Sequence, residues 1–195
     1  MADITPFDRA VELIDEANGK DPRSQSVNGN SVPKELFFAQ QVASWIPKLI
    51  DHPSEALLLA ARSHTIRRWM IPRDKYSKDN IGYHQWRNAL AKFHAQETTA
   101  ILEKAGLNQE TIARVQSLIT RRNFPGDPEA HALEDADCLV FLQTKLGNYL
   151  DDWGEDKTIN ILRKTLKKMT PKGVSFVAQL GLDKRCAAIV ARATA

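Results

Sequence analysis

Residues 83–105, YHQWRNALAKFHAQETTAILEKA, contain no glycine or proline and close on Gly106. Leu90, His94, Glu97 and Ile101 are spaced by four, three and four, which places them on one face of a helix. The spacing predicts a long amphipathic helix over 83–105, with Gly106 supplying the left-handed residue that ends it. The face begins and ends apolar, so its middle should also point into a core. His94 and Glu97 are then ionisable groups on a buried stripe. Burying such groups without partners costs several kcal/mol, so something should satisfy them.

The same periodicity recurs on both sides of this helix. Phe7, Ala10, Val11, Ile14 and Ala17 predict a helix over 5–18, capped by Thr5 with Pro6 in its first turn. Residues 19–32 carry Gly, Asn, Ser, Asp and Pro and read as a loop. Helices are expected over 33–50, with Pro47 as a kink or stop, and over 53–68. A polar connector spans 70–82. Beyond the long helix, Asn108 caps a helix over 109–121, a turn covers 123–127, and helices follow over 128–150 and 157–169. Pro171 and Gly173 end the last of these, and the tail from 174 forms a short helix. Without a repeat or an alternating strand, the expected class is all-α. The reading is a single helical bundle over 1–195 with about seven helices, its core within 5–170 and residues 171–195 peripheral.

A chain of 195 residues suits one domain with a real core. Its 43% hydrophobic and 26% charged residues fit a soluble globular protein, not a disordered or fibrous one. No apolar run reaches membrane-spanning length, so no membrane partner is expected. Residues 1–6, MADITP, show no basic region followed by an apolar one, so no secretory signal is expected. Cys138 and Cys186 stand far apart, which argues against a disulfide scaffold or a zinc finger. They suit a reducing, cytoplasmic setting. A net charge of +3 does not imply a specific nucleic-acid partner. Arg163, Lys164, Lys167 and Lys168 read as a solvated face without aromatic stacking platforms.

Two groups of residues could carry chemistry. His64 shares a face with Leu57, Ala60 and Ala61, and Asp135 shares one with Ala132, Leu139, Leu142 and Leu146. On an ideal helix Glu134 and Asp137 point elsewhere. The inward set His64, His94, Glu97 and Asp135 suggests a shared divalent metal, with Zn, Mn or Fe all suited to imidazole and carboxylate. A His and a Glu three apart on a helix can reach one ion. Such an ion activates water, with Glu97 as a ligand or general base. His84 would serve as acid or base if the connector folds over the site. Alternatively, the histidines are hydrogen-bonded core residues, Asp135 pairs with an arginine such as Arg62, and Glu97 lies exposed at the stripe's edge.

The second group is cationic and aromatic: Arg62, Arg67, Arg68, Trp69, Arg73, Lys75, Tyr76, Tyr83, Trp86 and Arg87. Guanidinium forks bind phosphate or carboxylate in two places at once, and rings can stack on a base or sugar. Arg62, Arg67, Arg73, Tyr83, Trp86 and Arg87 are therefore expected to bind a small anionic, phosphorylated substrate. The bland alternative is a solvated surface with core tryptophans. Ser63 lies beside His64, but adjacent helical residues do not face one another, so no nucleophile–base pair is indicated. His52 is expected in an exposed turn, and His131 on the surface one turn before Asp135.

Motifs quoted from nearly the whole chain carry a resemblance. They are Glu35-Leu36-Phe37-Phe38-Ala39-Gln40, Ala60-Ala61-Arg62-Ser63-His64-Thr65-Ile66-Arg67-Arg68-Trp69 and Ile71-Pro72-Arg73. Gly82-Tyr83, Trp86-Arg87, Lys92-Phe93-His94-Ala95, Arg114-Val115, Leu133-Glu134-Asp135 and Cys138-Leu139-Val140-Phe141-Leu142 complete them. They resemble an uncharacterised family, domain of unknown function 4202, which implies no settled activity. The order of parts is also similar to the HD superfamily of metal-dependent phosphohydrolases. There an inward His opens one helix, a His-Asp pair ends the next, and further His and Asp ligands follow. His64 matches the His of the pair, His94 a later His, and Asp135 or Asp137 the final Asp. Phe38 stands where the first His would be, and Thr65 replaces the Asp of the pair.

The resemblance implies an HD-like metal-dependent hydrolase acting on a small phosphorylated substrate. An HD-type iron-dependent oxygenase is one alternative. The other is a degenerate, non-enzymatic HD-like domain that binds an anionic ligand or a protein partner, which the departure at Thr65 favours.

Overall fold

Side-chain caps start most of the long helices in the computed structural model, which describes residues 4–194. The Thr5 hydroxyl accepts from the Asp8 amide at 3.1 Å and opens α1 (Pro6–Gly19). Ser54 does the same for α3 (Glu55–Ser63), and Asn108 for α5 (Gln109–Ile119). Asp79 accepts from Gly82 at 2.7 Å and opens the long helix α4 (Asn80–Ala105), a turn earlier than its apolar spacing indicates. Each cap satisfies an otherwise orphaned amide of the first turn. Gly106 ends α4 at φ +90°, as its position after residue 105 predicts.

Helix accounts for 73% of the protein and strand for 4%, so the class is all-α. The remaining helices are α2 (Lys34–Leu49), α6 (Pro128–Thr144), α7 (Leu146–Trp153), α8 (Glu155–Leu166), α9 (Pro171–Ser175) and α10 (Lys184–Thr194). Ten α-helices among the described residues replace the expected count of about seven. The segment 128–150 breaks at Lys145 into α6 and α7, and the stretch after 170 forms α9 and α10. Pro47 lies inside α2, and the helix ends two residues later at Leu49.

Two other expectations are corrected. Residues 19–32 are not all loop: β1 (Ser24–Val27) and β2 (Asn30–Pro33) pair as an antiparallel hairpin. Asn28 and Gly29 both adopt positive φ, as the tightest right-twisted hairpins require. The helix expected over 53–68 stops at Ser63. Arg67 turns into the left-handed region at φ +50°, and the buried Asn18 of α1 holds that turn. Asn18 accepts from the Arg67 amide at 3.2 Å and donates to the Arg62 carbonyl at 3.4 Å.

Helix α6 positions the polar centre. It packs along α2 and also meets α3, α5, α7 and α9. Ala132, Leu133, Glu134, Asp135 and Ala136 are buried in succession. A helix packed by so many neighbours keeps little solvent face. Glu134 is buried and Asp137 mostly so, not turned out to solvent as an ideal helix with one buried stripe suggests. Arg121 pairs with Glu134 at 2.5 Å. No described helix is long and apolar enough to cross a membrane.

Candidate functional site

His64 caps the C-terminal end of α3, and its two ring nitrogens face oxygens. Nδ1 lies 3.1 Å from the Ala61 carbonyl, and Nε2 lies 3.3 Å from an Asp137 carboxylate oxygen on α6. A carbonyl only accepts, so Nδ1 carries a hydrogen. Burial works against the Asp137 carboxylate. The His64 hydrogen bond and the charges of His64, Arg121 and Lys145 outweigh it and hold the group below the ordinary carboxylate range. Phe38 of α2 stands beside His64 with ring centroids 6.2 Å apart.

His94 of α4 is 3% exposed and donates from Nδ1 to the Ile66 carbonyl at 2.7 Å. Its buried Nε2 meets no partner among the described residues. Burial first, and then the charge of Arg68, pushes its pKa from 6.5 down to about 3 against the pull of the Ile66 bond. The ring is neutral at physiological pH.

Cations gather around this pair of histidines. The Arg68 guanidinium lies 4.8 Å from the Trp86 ring centroid, and the Lys145 ammonium lies 3.8 Å above the Phe38 ring. Arg87 acts on both Arg68 and His94 as a neighbouring positive charge. Among the described residues, Arg68, Arg87 and Lys145 lack an acidic partner within 4.0 Å, whereas Arg23, Arg62, Arg67 and Arg121 each have one. Arg68 and Lys145 are both half-buried, so solvent still reaches them. Burial works against both charges: Arg87 adds to it at Arg68, and Arg68 adds to it at Lys145, where Glu35 and Asp137 oppose.

The remaining sequence-selected residues go elsewhere. Glu97 pairs with Arg67 at 2.5 Å. Asp135 accepts from Thr170 at the head of α9, through the amide at 2.9 Å and the hydroxyl at 2.5 Å. Arg62 is bound to Asp15 of α1, not to Asp135, with one contact at 2.6 Å. Arg73 donates to the Tyr76 carbonyl at 3.0 Å, and the Trp86 indole donates to the Ile71 carbonyl at 2.9 Å. Tyr83 is 45% exposed, and His84 is exposed beside it with ring centroids 5.6 Å apart. His131 lies against Phe124, and His52 is exposed at φ +51°. Among the described residues, no three His, Cys, Asp or Glu side chains gather as a metal would require.

Sequence reasoning thus reaches His64, His94 and Arg87, offers Asp137 only as the alternative to Asp135 in the HD resemblance, and misses Lys145 and Arg121. Arg68 belongs to the sequence's cationic group but lies outside its expected binding set. One available signal is that residues 130–142 are apolar on every face of the helix, so His131, Glu134, Asp135 and Asp137 among them must find partners.

A family model described as domain of unknown function (DUF4202) matches residues 8–190. No curated protein and no solved structure matches the chain.

Proposed function

The chain belongs to this family of unknown function, and we propose that it is an HD-like helical domain that binds a small phosphorylated compound. One observation carries the reading: Arg68, Arg87 and Lys145 gather without acidic partners around the His64–Asp137 pair. Unpaired neighbouring cations repel one another, and an oxyanion relieves that repulsion. Guanidinium groups meet phosphate with two parallel hydrogen bonds, which favours a phosphate over a monovalent halide. His64 supplies a polar contact next to the bound group, and Phe38 and Trp86 supply aromatic faces.

The HD likeness is supported by where the matching positions fall. Phe38 on α2, His64 at the end of α3 and Asp137 on α6 meet at one place. A resident metal fits poorly there. A zinc-type centre needs three or four protein donors. His64 and Asp137 offer two, Phe38 offers none, Glu97 and Asp135 are held by Arg67 and Thr170, and among the described residues His94 does not gather with them as a third donor.

The test is a titration with inorganic phosphate, read by thermal shift and calorimetry, on the protein and on Arg68→Ala and Arg87→Ala. Phosphate should stabilise the protein in preference to chloride at equal ionic strength, with the effect lost in both variants. Equal response of all three proteins would overturn the reading.

A metal-dependent hydrolase or oxygenase is the second reading, and the bare, buried Nε2 of His94 favours it. Ligating histidines commonly donate the other ring nitrogen to a carbonyl, as His64 and His94 both do. Elemental analysis beside His64→Ala and His94→Ala separates the readings. Near-stoichiometric zinc or manganese, lost in both variants, would favour the hydrolase, and iron the oxygenase.

A further inference from the structure

We propose that the exposed face of α8 and of the turn that follows it binds the backbone of double-stranded nucleic acid without reading its sequence. The face uses none of the residues of the proposed phosphate site.

The charge of the chain is strongly divided. Residues 157–195 carry nine Lys or Arg and one Asp, whereas residues 1–156 carry 18 Lys or Arg and 23 Asp or Glu. The modest net charge of +3 therefore hides a basic C-terminal region beside an acidic remainder. The fold puts this excess on the surface. Thr158, Ile159 and Leu162 turn the other side of α8 into the protein, where it packs against α10 and α7. Arg163, Lys164, Lys167 and Lys168 are all exposed. Arg163 and Lys167, like Lys164 and Lys168, stand four residues apart, so the cations form two adjacent rows on one face. Within a row the charges repeat about every 6 Å along the helix axis. Helix α9 adds the exposed Lys172.

Stability alone does not favour this arrangement. Like charges four apart weaken a helix. A cation or two in the last turn is enough to answer the helix dipole. Soluble surfaces generally intersperse the two signs. The neighbouring arginines do so: Arg185 pairs with Asp151 at 2.7 Å, and Arg192 pairs with Glu155. Among the described residues, Arg163, Lys164, Lys167 and Lys168 have no acidic side chain within 4.0 Å. The Arg163 guanidinium reaches only the Arg192 carbonyl, at 3.5 Å.

A phosphodiester backbone complements such rows, because it presents regularly repeated negative charges and releases its condensed counterions to bound cations. Contacts of this kind hold a duplex but carry no sequence information. An anionic membrane fits less well. Among the described residues, no large apolar side chain of 157–194 is exposed, so the face has nothing to bury between lipids. A single strand also fits less well, because its bases stack on aromatic rings. Phe176 is the one aromatic residue after 157, and it packs edge-on against Trp45.

The test titrates a fluorescent DNA duplex of mixed sequence with the protein, followed by anisotropy at several salt concentrations. The expected Kd is about 1–100 μM at physiological salt, with affinity falling steeply as salt rises. Lys164→Gln/Lys168→Gln should keep the helical circular dichroism, weaken binding about tenfold at low salt and reduce the salt slope by about two. Lys92→Gln/Lys104→Gln removes the same charge from exposed positions on α4 and should bind as the parent does. Equal weakening in both double variants would reduce the effect to net charge and overturn the assignment to α8. Absence of binding, or a salt slope that Lys164→Gln/Lys168→Gln leaves unchanged, would overturn it too. Tighter binding to phosphatidylserine vesicles, or to a single strand of the same length, would overturn the duplex as the occupant.

Discussion

Asp135 accepts two hydrogen bonds from a single residue, Thr170, whose amide lies at 2.9 Å and whose hydroxyl lies at 2.5 Å. The pair ties the middle of α6 to the first turn of α9, and the Thr170 oxygen in turn accepts from the Gly173 amide at 3.0 Å. Asp135 is thus a structural anchor. Asp135→Asn keeps an acceptor for the amide and should stay within about 1 kcal/mol of the parent in urea unfolding. Asp135→Ala orphans the Thr170 amide and should cost about 1–3 kcal/mol. A change in metal content with a normal fold in Asp135→Asn would contradict the anchoring role.

Gly173 lets α9 approach that carboxylate. A Cβ there would stand 2.4 Å from the Asp135 carboxyl carbon. Because Asp135 is held in a buried setting, Gly173→Ala must displace the helix or break the Thr170 bonds. The expected loss is about 1–3 kcal/mol, as for other overpacked sites. Urea midpoints of the variant and the parent measure it, and an unchanged midpoint would refute the close approach.

His94 predicts acid sensitivity. Its folded pKa of about 3 lies below the unfolded 6.5, so the unfolded chain binds the extra proton first. The contribution is fully present above pH 6.5, declines as pH falls through the window from 6.5 to about 3, and is lost below it. The total is on the order of several kcal/mol. Thermal unfolding followed across this window should show the decline, and His94→Gln, which has no such proton to bind, should flatten it. The same slope in both proteins would assign the acid sensitivity to other groups.

Asn18 should act on ligand binding from a distance. It holds the left-handed turn at Arg67, one residue before Arg68. Asn18→Ala removes two part-buried hydrogen bonds, an expected loss of about 1–3 kcal/mol, and frees the turn that positions Arg68. Phosphate affinity measured by calorimetry should fall together with stability. Normal affinity in a destabilised Asn18→Ala would separate the turn from the site.

Local patterns explain most of the helices and little of the site. The caps at Thr5 and Asn108, the stop at Gly106 and the apolar stripe of α4 are short-range features, because helix periodicity and capping chemistry act within a few residues. His64 and His94 were legible as inward groups for the same reason. Their partners were not. Glu97 shares a face with His94 in sequence, yet Arg67 claims it from a separate segment.

The sequence by itself determined an all-α chain with His64 and His94 turned inward and cations nearby. Only the tertiary structure decided that Asp137, not Asp135, meets His64, that Thr170 claims Asp135, and that the break at Lys145 brings its amine over Phe38. The physical reason lies in α6. A helix with one buried stripe lets spacing assign each side chain to core or solvent. A helix enclosed by α2, α3, α5 and α9 buries nearly every face, so each polar group there takes the partner that its neighbouring helix supplies.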